Sequence, residues 1–120
     1  LIFISATLEG SSGFKNNIEK EILRLKQKKA DTQPAKIKTG GSTFKNPIHQ
    51  SNKKVWELIK QSVPKNLNFG DASISQNHSN FFINKKNAKF DDMMTLINYV
   101  KKNVKRKFNV DLELEIVVVD

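Results

Sequence analysis

The stretch DDMMTLINYVKKNVKRKFNVDLELEIVVV, residues 91–119, decides the fold class of this 120-residue chain. Its first part repeats apolar residues every three or four positions, at Met93, Ile97, Val100, Val104 and Phe108, which aligns them along one face of an α-helix. Asp91 is expected to cap that helix, because a short acidic side chain can accept the free backbone N–H groups of the first turn. Lys101, Lys102, Lys105, Arg106 and Lys107 crowd its last turns, where the negative end of the helix dipole stabilises a cation by ~0.3–1 kcal/mol. The period then drops to two. Val110, Leu112, Leu114, Ile116 and Val118 alternate with Asp111, Glu113 and Glu115, which predicts a long strand with its carboxylates on the opposite face.

Outward from that pair, the same two periods recur. Short strands are expected at residues 67–69 and 73–75, and a buried one at 80–84 around FFI. Ser51 or Asn52 is expected to cap a short helix whose Val55, Trp56, Leu58 and Ile59 face the core, and Pro64 ends it. Further upstream, Phe14, Ile18, Ile22 and Leu25 form a second helical stripe, with Ser12 as its expected cap and Pro34 forbidding continuation. LIFISAT, residues 1–7, reads as a strand ended by GSSG. The chain opens on Leu1 in the middle of that apolar run and reads as the tail of something longer. Helices interspersed with strands imply a layered α+β or α/β fold.

Composition narrows the function classes. With no cysteine and only His49 and His78 as nitrogen ligands, disulfides are excluded and no metal site is expected. No apolar run approaches the ~20 residues of a membrane span, and LIFISA lacks the basic lead-in of a secretory signal, so a cytoplasmic location without a membrane partner is expected. The excess of 21 Lys and Arg over 12 Asp and Glu gives +9 and favours anionic partners. The basic helix end could contact nucleic acid, but no recognised RNA- or DNA-binding pattern accompanies it, and a solvated helix terminus is the plainer account.

Three segments carry chemistry-bearing residues. TGGSTFKNP, residues 39–47, places Gly40 and Gly41 before Ser42, with Lys45, Asn46 and Pro47 close behind. The spacing is not that of a Walker phosphate loop; the glycines permit close backbone approach, and the segment offers a hydroxyl, a cation and an amide. In SISQNHSNFFIN, His78 lies among five consecutive hydrogen-bonding side chains, suited either to a polar ligand or to a capped loop. Glu113 and Glu115 suit either a solvent-facing strand or acid/base work at the edge of a cleft.

GSTFKNP, with Gln33 and Pro34 upstream, closely resembles the signature of the UDP-N-acetylenolpyruvoylglucosamine reductase family, the MurB flavoenzymes. The likeness continues in order through a glycine-containing strand pair, the His-x-Asn-Phe strand at 78–81, the Asn-Ala-x-x-x-Asp helix start and the Leu-Glu-x-Glu ending. The fold it implies is α+β, a small mixed sheet with helices packed on one side, as in that family's C-terminal substrate-binding domain. It also implies a division into the end of an FAD-binding region at 1–13, a linking helix and loop at 14–34, and a substrate domain at 35–120.

The implied reaction reduces the enolpyruvyl group of UDP-N-acetylglucosamine-enolpyruvate to give UDP-N-acetylmuramate, in peptidoglycan precursor synthesis. NADPH first reduces FAD; hydride then reaches one alkene carbon and a proton the other. By resemblance Ser42 is the proton donor and Glu115 the catalytic glutamate, while Asn46 and Lys65 bind the substrate diphosphate, Lys45 is a further substrate-binding residue and His78 falls near a nucleotide-contacting position. Gly40 and Gly41 approach the flavin. Leu114 stands where many members have proline, and Asn66 where glycine is common. The catalytic arginine and most flavin contacts of the family have no counterpart in this sequence, so these residues are expected to need a missing N-terminal FAD-binding domain, in cis or in trans, to hold the cofactor. The alternative expectation is a catalytically silent UDP-sugar-binding remnant.

Overall fold

A computed structural model describes residues 2–32 and 37–119, excluding the Thr32 side chain. Leu1, Gln33 and Pro34, on which parts of the sequence expectation rest, lie outside the described residues. The elements run α1 (Lys15–Thr32), β1 (Lys38–Ser42), α2 (Val55–Ser62), β2 (Asn68–Phe69), β3 (Ala72–Ile74), β4 (Phe81–Asn84) and α3 (Phe90–Phe108). The four strands form one sheet in the order β1-β4-β3-β2. The α+β expectation holds, with one refinement: every pairing is antiparallel, so the sheet is not mixed.

Helix α3 lies against β2 and β3, and α2 lies against α3. Leu96, Ile97, Val100 and Val104 of α3 meet Val55, Leu58 and Ile59 of α2 and Ala72, Ile74 and Phe82 of the sheet in one buried cluster. Each large side chain fully withdrawn from water contributes ~1.5–3 kcal/mol, so this cluster dominates the stability. Phe44 and Phe82 close it in an edge-to-face pair with centroids 5.7 Å apart.

The helix starts fall slightly away from their predicted positions. In α3 the residue at the cap position is Lys89, not Asp91; its extended backbone makes Phe90 the first helical residue, and the Asp92 carboxylate accepts the Lys89 N–H at 2.9 Å. In α2 it is Lys54, rather than Ser51 or Asn52. Glu57 accepts the Lys54 N–H at 2.8 Å, and the Asn46 side chain accepts the Val55 N–H at 3.0 Å. An acid three residues inside each helix thus serves a donor at its start. In α1 the first helical bond ends on the Phe14 carbonyl, two residues beyond Ser12, so Ser12 is not its cap. Helix α3 stops at Asn109, whose φ of 55° and N–H bond to Lys105 O form a left-handed cap.

Strands β2 and β3 join through Gly70 and Asp71. Gly70 has φ +52°, and a Cβ there would stand 2.6 Å from Asp92 Oδ2, the atom that serves the start of α3. The hairpin turn and the helix cap therefore fit together only around glycine.

Two predicted strands do not form among the described residues. Residues 2–14 carry no regular structure and are exposed, since nothing among the described residues pairs with them. Residues 110–119 show the predicted alternation of burial but make only an isolated antiparallel bridge, Phe44 with Leu114. A register shift between Thr39 and Ser42 bends β1, so only the residues just past the bend offer the tail a ladder. No helix among the described residues is long and apolar enough to cross a membrane.

Candidate functional site

Ser42 ends β1, half-buried, opposite Phe81 of β4. The bulge before it depends on Gly41, whose φ of +88° lies in the left-handed region, with open space where a Cβ would stand. Gly40 has no such demand; a Cβ there would meet Ile116 at an ordinary 3.5 Å. Only one of the two adjacent glycines is therefore required by the backbone.

Both flanks of Ser42 are tied to β4 or the residue before it. Upstream, the Thr39 hydroxyl donates to Phe82 O at 2.8 Å and accepts the Gly41 N–H at 3.2 Å. Downstream, the Thr43 N–H reaches Asn80 O at 2.8 Å. The Asn80 side chain accepts the Phe44 N–H at 3.0 Å and donates to Phe44 O at 2.8 Å, so it forms both bonds that a neighbouring strand residue would form.

The tail brings Glu115 beside this segment. Its N–H donates to Thr43 O at 2.9 Å, while the Lys45 N–H donates to Glu113 O at 3.0 Å. These bonds flank Leu114 and use no N–H of its own, so the family's expected proline at this position would forfeit neither of them. The Glu113 and Glu115 side chains are exposed. Lys45 Nζ lies 3.5 Å from the Glu113 carboxylate, an exposed pair of small energetic weight.

The remaining predicted residues fall into two clefts. Lys65 and His78 line the larger, of about 620 Å³, with Trp56, Lys60, Gln76 and Asn77. Its lining contains two lysines and no carboxylate, which favours an anion, and aromatic faces that suit a planar base. Lys65 sits in a turn closed by the Leu67 N–H to Pro64 O bond, and Gln76 donates to Lys65 O at 3.2 Å. Asn66, in that turn, does not adopt the left-handed conformation that would call for glycine. His78 packs edge-on against Phe81 and accepts the Asn80 N–H on Nδ1 at 3.2 Å. Desolvation by its neighbours lowers its pKa below the ordinary histidine value, which favours the neutral imidazole, and the Asn80 N–H bond suits the tautomer with Nδ1 as acceptor.

Lys45 and Asn46 line the second cleft, of about 270 Å³, with His49, Gln50, Asp111 and Glu113. Gln50 and Asp111 close its floor by two reciprocal side-chain to backbone bonds. Ser42 and Glu115 line neither cleft. The structure thus groups Lys65 with His78 and Lys45 with Asn46, and brings the Glu115 backbone onto Thr43, next to Ser42. At the basic end of α3, several cations are already engaged: Lys105 with Asp111, Arg106 with Asn103, and Lys53 and Lys107 over the Phe108 ring.

Three contributors were not foreseen. Trp56, expected in the core, is 40% exposed and lines the larger cleft; it falls off the face shared by Val55, Leu58 and Ile59, and that offset was the available signal. Thr39 and Asn80 act on partners remote in sequence, which no local pattern reveals.

The family described as UDP-N-acetylenolpyruvoylglucosamine reductase, C-terminal domain, matches residues 33–119. The chain is 57% identical over 116 residues to the UDP-N-acetylenolpyruvoylglucosamine reductase of Pelagibacter ubique, covering 97% of this chain and 38% of that protein. It is 40% identical over 118 residues to the Clostridium tetani protein of the same description, covering 98% and 38%. Among solved structures it resembles UDP-N-acetylenolpyruvylglucosamine reductase (MurB) from Thermus caldophilus, with a TM-score of 0.64 and 30% identity over 88% of this chain and 36% of that one. The chain therefore spans little more than a third of the length of these relatives.

Proposed function

Because the chain belongs to the UDP-N-acetylenolpyruvoylglucosamine reductase family through that family's C-terminal domain, we propose that it binds UDP-N-acetylglucosamine-enolpyruvate and donates the proton that completes its reduction. The observation that carries this is the half-buried Ser42 on a backbone pinned at both flanks, with Glu115 on the adjoining C-terminal segment. A serine is a weak acid in water, but a hydroxyl fixed against a strongly basic carbon can protonate it. Glu115 works beside it, and Lys45, Asn46, Lys65 and His78 hold the substrate. The larger cleft, with two lysines and aromatic walls, suits a nucleotide. Asn46 already caps α2 through Oδ1, so its Nδ2 is the group left to donate to a phosphate oxygen.

Gly41 leaves a side-chain-free backbone beside Ser42, which fits a flat ring lying close. FAD, when bound, supplies the hydride that originates from NADPH. In this proposal residues 35–120 form the substrate part, 14–34 link it and 1–13 end the FAD-binding part of an oxidoreductase of cytoplasmic peptidoglycan precursor synthesis. A complete enzyme can be obtained by replacing the matching segment of the Pelagibacter ubique protein with this chain. In that chimera Ser42→Ala is expected to slow substrate reduction by about 10²–10⁴-fold and to leave flavin reduction by NADPH unchanged. Equal loss of both steps would refute the proton-donor role. A second reading, UDP-sugar binding without redox chemistry, draws on the larger cleft, whose lining does not include Ser42. It predicts tight substrate binding by the chimera with no turnover.

A further inference from the structure

We propose that Thr39 and Asn80 are positioning residues for Ser42, the two side chains that fix where its hydroxyl points. The proposal rests on Ser42 as proton donor. A β-bulge interrupts the ladder between Thr39 and Ser42, so Ser42, opposite Phe81, is the last residue of β1 and has no regular pairing on the strand just before it. Thr39 repairs the upstream side by using one hydroxyl twice, as donor to Phe82 O and acceptor from the Gly41 N–H. Asn80 repairs the downstream side: its amide takes the place of a missing peptide group and bonds both Phe44 N–H and Phe44 O.

Asn80 is only 3% exposed, and a buried amide is tolerated where its bonds are made. All its polar groups are occupied, since its carbonyl takes the Thr43 N–H and its own N–H reaches His78 Nδ1. An apolar residue would fill the same volume without risk of an unpaired group, so filling space does not account for the amide. Ser42 lies between these two ties, with Gly41 held on one side and Thr43 and Phe44 on the other. Misplacing a reacting group by about 1 Å costs on the order of 10²-fold in rate, so ties of this kind act directly on turnover.

The test uses the chimera with Thr39→Val and Asn80→Ala, each alone and combined with Ser42→Ala. Each single variant is expected to lower kcat for substrate reduction by about 10- to 100-fold with KM nearly constant, and to raise the solvent deuterium isotope effect on that step. Neither is expected to reduce the rate further once Ser42 is alanine. A reduction of the same size in the Ser42→Ala background, or an unchanged isotope effect, would overturn the proposal. Amide exchange gives a readout independent of activity: Gly41 in Thr39→Val and Phe44 in Asn80→Ala are expected to lose at least about tenfold protection while α3 keeps its own. Unchanged protection would also overturn it. If Asn80→Ala does not fold, Thr39→Val at an exposed position carries the test. Should Ser42→Ala alone leave substrate reduction intact, the proton-donor reading fails, while amide exchange still decides whether the two side chains hold the loop.

Discussion

Helices α1 and α3 have 18 and 19 residues, and each carries an apolar stripe and basic residues near its end. Their surroundings differ completely. Ile22 of α1 is 45% exposed and every described residue of that helix is open to solvent, whereas Leu96 of α3 is fully buried. Helix α3 also has an acidic first turn, a carboxylate serving its start and a left-handed cap at its end. Helix α1 has no acid in its first turn and is supported by local pairs such as Arg24 with Glu21. Helical periodicity thus reports that a face is apolar; it does not report what covers the face.

That contrast can be broken by mutation. Leu96→Ala opens a void among α2, α3 and the sheet and is expected to cost ~2–5 kcal/mol in chemical denaturation. A loss below about 1 kcal/mol would show that α3 is no better supported than α1. Gly70→Ala forces a side chain onto the Asp92 carboxylate at positive φ and is expected to cost ~1–3 kcal/mol. Relief by Asp92→Ala would trace the cost to the junction of hairpin and helix start. Ile22→Ala is the mildest change, expected to move the stability of the chain by no more than ~0.5 kcal/mol, with helical circular dichroism retained. The same substitution in the chimera sharpens the comparison: a loss above ~1 kcal/mol there would reveal a partner for the α1 stripe in the longer protein.

The elements legible in the sequence were those written in local period. The stripe of α3 emerged as read, with Ile97, Val100 and Val104 buried, and FFI falls in β4. The helix starts were misplaced by two or three residues because the side chains serving them, Asp92, Glu57 and the distant Asn46, lie beyond the cap position itself. The tail alternates as predicted, yet forms no strand, because pairing depends on a neighbour's straightness and the bulge removes it. At the site, a bulge precedes Ser42 with only Gly41 at positive φ, and His78 and Lys65 line one cleft. Asn80 read only as one of five consecutive polar side chains, because its bonds to Phe44 cross 36 residues of chain.

The bridge between Phe44 and Leu114 has a further consequence, in the order of assembly. It closes a loop of about 70 residues, an entropic cost of roughly 4 kcal/mol before any contact offsets it. The hairpin of β2 and β3 and the turns of α3 close within a few residues of themselves and can form early. Joining Glu115 to Thr43 is favourable only after those nearer parts have drawn the two ends together. By sequence separation, the contacts of Thr43 and Phe44 with the tail are expected to form after the local ones.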